Sequence, residues 1–98
     1  MRPMLKITTS EDAQTSTMKL EGKIAGPWVP EFGRTWDSLA ASLGSRRLRL
    51  DLRGVTYVDA AGQQLLRKIY EQTHAEFLAD SPLVAYFVAQ ATKNSNGR

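Results

Sequence analysis

An α/β fold is predicted by three features of the sequence: a mixed four-stranded sheet in the order β-β-α-β-α-β-α, with helices mainly on one face. Residues 46–53 alternate strictly, Leu48, Leu50 and Leu52 against Arg47, Arg49, Asp51 and Arg53. That is the period of a strand with one dry and one wet face, and it suits a sheet covered by helices on one side only. Residues 28–43 and 65–70 instead repeat apolar side chains at spacings of three and four, the signature of amphipathic helices. Length is the third feature, because 98 residues leave room for one domain with one modest core.

Taken in order, Leu5 and Ile7 stand two apart before the polar stretch 8–14, and residues 15–22 place Met18 and Leu20 on one parity. Two strands joined by a flexible turn fit this pattern. Pro27 then suits a first helical position, and Trp28, Val29, Phe32, Trp36, Leu39, Ala40 and Leu43 form one apolar face, closed by Gly44 as a C-terminal cap. Trp28 and Trp36 belong to that face as core residues. The strand at 46–53 is expected to be interrupted at Gly54, after which Val55, Tyr57 and Val58 lead to Asp59. Asp59 is a good N-cap for a helix with Leu65, Leu66, Ile69 and Tyr70 inside and Gln63, Gln64, Lys68 and Glu71 outside. His74 ends that helix at a position where left-handed geometry is often needed. Residues 75–79 make a short strand. Asp80 or Ser81 then caps a last helix, with Pro82 in its first turn and Leu83, Val84, Phe87, Val88 and Ala91 on its core face. Strands that alternate with helices pair in parallel through right-handed crossovers. The domain is expected to span residues 1–92, followed by a disordered tail over 93–98.

Composition narrows the function. Cysteine is absent, so disulfides, thiolate metal sites and thiol catalysis are excluded. No apolar run approaches the roughly 18 residues of a membrane span, and the first residues offer no secretion signal, so a cytoplasmic setting without membrane insertion is expected. Of the net charge of +3, two units come from Lys93 and Arg98 in the tail, leaving the folded part nearly neutral. The cations Arg46, Arg47, Arg49 and Arg53 are broken by Asp51 and carry no interleaved aromatic residues for base stacking, so nucleic acid is not an expected partner. His74 is the only histidine and has no partners for a triad or metal site, and no phosphate-cradling or nucleophile-elbow motif occurs. No cofactor, no metal and no catalysis are expected.

Residues 51–62 are the most informative segment. They run from the middle strand straight into a helix N-terminus, where free N–H groups and the helix dipole favour negative charge. Two readings stand side by side: a structural corner capped by Asp59 with small residues packing closely, or a site for an anion or a partner's backbone.

That segment, LDLRGVTYVDAAG, resembles the signature of STAS domains, the family of bacterial anti-sigma factor antagonists. Leu50-Asp51-Leu52 matches the family's strand, residues 54–58 its turn, Asp59 its leading acid, and Gly62 with Leu65 and Leu66 its helix start. Residues 20–24 are similar to its second strand and the following turn, and the likeness spans roughly residues 4–92. The resemblance implies a non-catalytic protein-binding module acting in signalling and transcription regulation. Its partner surface would comprise Thr56, Asp59, Ala60, Ala61, Gly62, Gln63, Gln64, Arg67 and Lys68. It also implies a partner: an anti-sigma factor of the kinase-like kind or, alternatively, the ATPase of an ABC lipid-trafficking transporter.

Three departures from the family pattern shape the expectation. The family's phosphorylated Ser or Thr stands where this chain has Ala61, and Ala60 removes the neighbouring hydroxyl, so the usual phosphate switch is not available. Gln63 and Gln64 replace an apolar and a small residue. The final strand and helix of longer members are expected to be missing, leaving a sheet edge for pairing or a partner.

Overall fold

In a computed structural model of the chain, which describes residues 5–93, the elements are β1 (Leu5–Glu11), β2 (Thr15–Ile24), α1 (Trp28–Leu43), β3 (Arg47–Val58), α2 (Ala60–Thr73), β4 (Glu76–Leu78) and α3 (Pro82–Thr92). The sheet order is β1-β2-β3-β4, with β1 antiparallel to β2 and the other two pairings parallel. This is the mixed four-stranded α/β arrangement expected from the sequence. Of the tail expected at 93–98, only Lys93 is described, exposed in a bend after α3; the rest, like residues 1–4, lies outside the described residues.

β1 continues through the polar residues 8–11, which had been expected to form a loose turn. Thr8 and Thr9 are β-branched and favour an edge strand without any apolar signal. The turn is only 12–14, closed by the Asp12 carboxylate, which accepts from the Gln14 and Thr15 N–H groups at 2.8 and 2.7 Å. β2 buries Ser16, Met18, Leu20 and Ile24, all on one parity.

β3 departs from the expected interruption at Gly54 by running on without a break. Its buried apolar residues are Leu48, Leu50, Leu52, Val55 and Val58, so the spacing changes from two to three halfway along. The pairing with β2 explains this: Lys19 pairs Asp51 but Glu21 pairs Gly54, and Gly22 pairs Val55 but Lys23 pairs Tyr57. At each step β3 uses one residue more than β2, which is a β-bulge, and each bulge turns the next apolar side chain back into the core. Gly54 serves the first bulge by its lack of a side chain, since a Cβ there would come within 2.7 Å of Glu21 Cγ.

The expectation that Asp51 faces water is also corrected, although Asp51 precedes the bulge and stays on the face opposite Leu50 and Leu52. Asp51 is buried, and its carboxylate accepts from the Arg53 backbone N–H at 3.1 Å and from Arg53 Nε and an Nη at 3.0 Å each. The Arg53 hydrogen bonds hold the Asp51 carboxyl below its usual range, against the opposing effect of burial, and the Arg53 guanidinium is correspondingly raised.

Phe32, Trp36 and Leu39 of α1, Leu66 and Ile69 of α2, and Val84 and Ala91 of α3 join the strand residues in one core cluster. Ala40, expected on the apolar face of α1, is exposed at its edge. Gly44 closes α1 with φ 62°, and His74 closes α2 with φ 53°, donating its N–H to the Tyr70 carbonyl. Ser81 is the cap of α3, its hydroxyl accepting from the Val84 N–H at 3.2 Å. Leu83 is not a core residue: with Val84 at 1% exposure and Ala91 at 0%, the buried stripe of α3 passes it by, and Leu83 is 49% exposed. The other face of the sheet carries the Arg49–Glu76 ion pair at 2.9 Å, in solvent.

The fourth strand is three residues, where five were expected at 75–79, and it pairs only with residues 49–51 of β3. Beyond Asp51, β3 therefore has a strand neighbour on the β2 side alone. On its other side Tyr57 meets Phe87 of α3 edge-on, with ring centroids 5.8 Å apart. No helix among the described residues is long and apolar enough to cross a membrane.

Candidate functional site

Asp59 organises the corner where β3 becomes α2. Its backbone N–H donates to the Ile24 carbonyl at 3.0 Å, anchoring the end of β3 to the end of β2. One carboxylate oxygen accepts from the Gly62 N–H at 2.8 Å, which caps α2, and the other accepts from the Gly26 N–H at 2.9 Å in the loop before α1. One side chain thus ties together the starts of two helices and satisfies donors that helix ends leave free. The N-cap expected from the sequence is present; the link to Gly26, 33 residues away, is not legible in a linear pattern.

Gly62 is buried against the end of β2. A Cβ there would lie 2.5 Å from the Ile24 carbonyl oxygen and 3.1 Å from Val58 Cγ1, so only glycine lets α2 sit this close to the sheet. Ala60 and Ala61 are exposed in the same turn, and Gln64 and Lys68 continue the exposed stripe along α2 at helical spacing. Thr56 is exposed on β3, its hydroxyl donating to the Gly22 carbonyl at 3.3 Å.

The remaining two candidate residues turn away from that stripe. Gln63, expected to face outward, is half-buried, and its Nε2 donates to the Phe87 carbonyl of α3 at 2.8 Å. Arg67, one turn on, donates from an Nη to the Gln90 carbonyl at 2.9 Å. The two side chains form polar struts between α2 and α3, satisfying carbonyls of α3 and fixing its distance from α2. The candidate residues therefore fall into three groups: an exposed stripe of Ala60, Ala61, Gln64 and Lys68 with Thr56 nearby in sequence, a cap of Asp59 and Gly62, and the struts Gln63 and Arg67.

Sequence reasoning missed a groove beside the cap. It has a volume of about 370 Å³ and is lined by Tyr57, Val58, Asp59, Ala60, Gln63, Tyr86, Phe87 and Gln90. Tyr57 and Tyr86 are 46% and 58% exposed, although each is a large side chain with apolar surface to hide. The available signal was Tyr86, which falls off the buried stripe of α3. A larger cleft of about 620 Å³ opens where β2 and β3 begin and α2 ends, between Thr15, Arg47, Leu48, Arg49, Thr73, His74 and Glu76. Arg49 and Glu76 in its wall neutralise each other.

No protein-family model and no curated protein sequence matches the chain. Among solved structures, the crystal structure of an anti-sigma factor antagonist from Mycobacterium paratuberculosis is similar with a TM-score of 0.72, covering 84% of this chain and 73% of that one at 20% sequence identity. The described chain and that protein share their fold at an identity where few side chains coincide. The fold implied by the likeness of residues 51–62 to STAS domains is thus the fold of this chain, that of an anti-sigma factor antagonist.

Proposed function

We propose that the chain is a non-catalytic, cytoplasmic regulatory module that binds a protein partner through the exposed stripe at the start of α2. The carrying observation is the conjunction of an anti-sigma factor antagonist fold with a rigidly capped α2 corner that presents Ala60, Ala61, Gln64 and Lys68 to solvent. Such a corner is pre-organised for docking, because its backbone is held from both sides by Asp59 and needs little ordering on association. Residues 59–64 contain no Ser or Thr, so docking here is constitutive with respect to phosphorylation at the usual position. A kinase-like anti-sigma factor is the partner class that this fold suggests.

The test is affinity capture with the wild-type chain and with Ala61→Glu in parallel, identification of the protein lost selectively, and calorimetric titration of that protein. Ala61 is exposed, so a carboxylate there leaves the fold intact by circular dichroism while placing charge in the docked surface. Binding is expected to weaken about tenfold or more, the equivalent of roughly 1.4 kcal/mol. Ala61→Ser is expected to bind like wild type until phosphorylated. Equal affinity of wild type and Ala61→Glu for every captured protein overturns the proposal.

A further inference from the structure

We propose that the groove between β3, α2 and α3 receives an arginine side chain of the protein partner, an inference that rests on the binding-module reading above. Tyr57, Leu83 and Tyr86 are the exposed large hydrophobic side chains among the described residues. Two of them line this groove, and Leu83 lies one turn before Tyr86 on α3. Exposed aromatic surface gathered at one place, on a domain whose other described large apolar side chains are buried or half-buried, marks an interaction site more often than chance exposure does.

The walls are fixed. Phe87 stands edge-on between the two tyrosines, with ring centroids 5.8 Å from each. Its carbonyl is held by Gln63 and that of Gln90 by Arg67, so α3 cannot drift from α2 without breaking both bonds. At about 370 Å³ the groove lies at the small end of ligand sites and suits a single side chain rather than a cofactor.

The chemistry of the lining selects the occupant. Asp59 is the one charged lining residue, and the remaining polar groups include two glutamines and two phenols. Gln63 Oε1 has no hydrogen-bond partner within the described residues but is buried from solvent, so it is not among the acceptors open to an occupant. The positive end of α2 is already met by the Asp59 carboxylate through the Gly62 N–H, so it does not dominate the tyrosine end. A carboxylate ligand would be repelled by Asp59, the one charge in the lining, and a purely apolar one would strip the polar groups of water without replacement. A guanidinium is planar, stacks on tyrosine faces and supplies N–H donors in several directions, which matches π surface and acceptors together. Lysine offers the charge without the stacking plane.

The test uses the full chain, isotope-labelled, titrated by nuclear magnetic resonance with acetyl-Gly-Arg-Gly-amide and with the same peptide carrying citrulline, which keeps the shape and removes the charge. Saturable shifts are expected at the amides of Tyr57, Gln63, Tyr86 and Gln90, with affinity at least about fivefold weaker for the citrulline peptide, the scale of a cation–π contact. Tyr57→Ala and Tyr86→Ala are each expected to weaken the arginine peptide similarly; both side chains are largely exposed, and circular dichroism checks that both variants fold. Equal affinity for the two peptides, or shifts confined to other surfaces, overturns the inference. Ala61→Glu separates the two proposals. If it loses the partner while the wild-type groove ignores the arginine peptide, the docking stripe stands and the groove inference falls. If the peptide binds and Ala61→Glu changes no protein contact, the reverse holds.

Discussion

Asp59 carries more of the corner than any other single side chain, because both oxygens accept N–H groups from different elements. Asp59→Ala is expected to cost about 2 kcal/mol in denaturant melts, the upper end for an N-cap, since the Gly26 N–H loses its acceptor as well. Asp59→Asn keeps one acceptor oxygen and is expected to cost less than the alanine. A cost under about 0.5 kcal/mol for the alanine would mean that water replaces both bonds readily. Asp51 and Asp12 add a pH dependence whose direction follows from their lowered carboxyls. A group more acidic in the folded chain than in the unfolded one contributes stability that is complete above the ordinary carboxylate range and is lost as pH falls through the lower folded value. Asp51→Asn is therefore expected to lower stability by about 1 kcal/mol near neutral pH, and the gap from wild type should close in strong acid. A gap that stays constant from pH 7 to about pH 2 would show that Asp51 acts by shape alone.

At the scale of elements, the test of β3 and α3 is a contrast between two leucines. Leu50 is fully buried in the middle strand, and Leu50→Ala is expected to cost about 2–5 kcal/mol. Leu83, which the helical spacing had assigned to the core, stands half in water, and Leu83→Ala is expected to change stability by less than about 0.5 kcal/mol. Similar losses for both in urea melts would place Leu83 back in the core. The contrast also shows where the sequence was readable. Leu48, Leu50 and Leu52 announce their own parity, and Pro27, Gly44, Asp59, His74 and Ser81 mark helix ends through local backbone chemistry that needs no tertiary context. Leu83 and Gln63 were misplaced because their environment depends on where α3 lies against α2, which no local period encodes. Asp51 was misplaced because alternation assigns it to the polar face but does not show that Arg53, two residues on along the same face, engages its carboxylate with the guanidinium.

For the whole molecule, the expected strand and helix order holds, and the corner at residues 59–62 is where the sequence placed it. The groove walled by Tyr57 and Tyr86 was not legible, because its two sides are brought together only after β4 ends early and α3 packs beside the open upper part of β3. The two bulges of β3 have an effect that reaches beyond the strand. They act as two phase shifts in a two-stroke count, returning Val55 and Val58 to the interior after the alternation would have carried each to the opposite side. Pairing β3 with β2 residue for residue between Asp51 and Gly54, with the bulge lost and no residue removed, would undo a single shift, and every side chain from there to the start of α2 would exchange inside for outside. Asp59 would then arrive rotated away from Gly26, and the helix that follows would present a different set of residues to solvent. The orientation of the α2 surface is in this sense a matter of arithmetic in the middle strand, set by how the residues between Leu48 and Asp59 are counted off against β2 rather than by any residue on the surface itself.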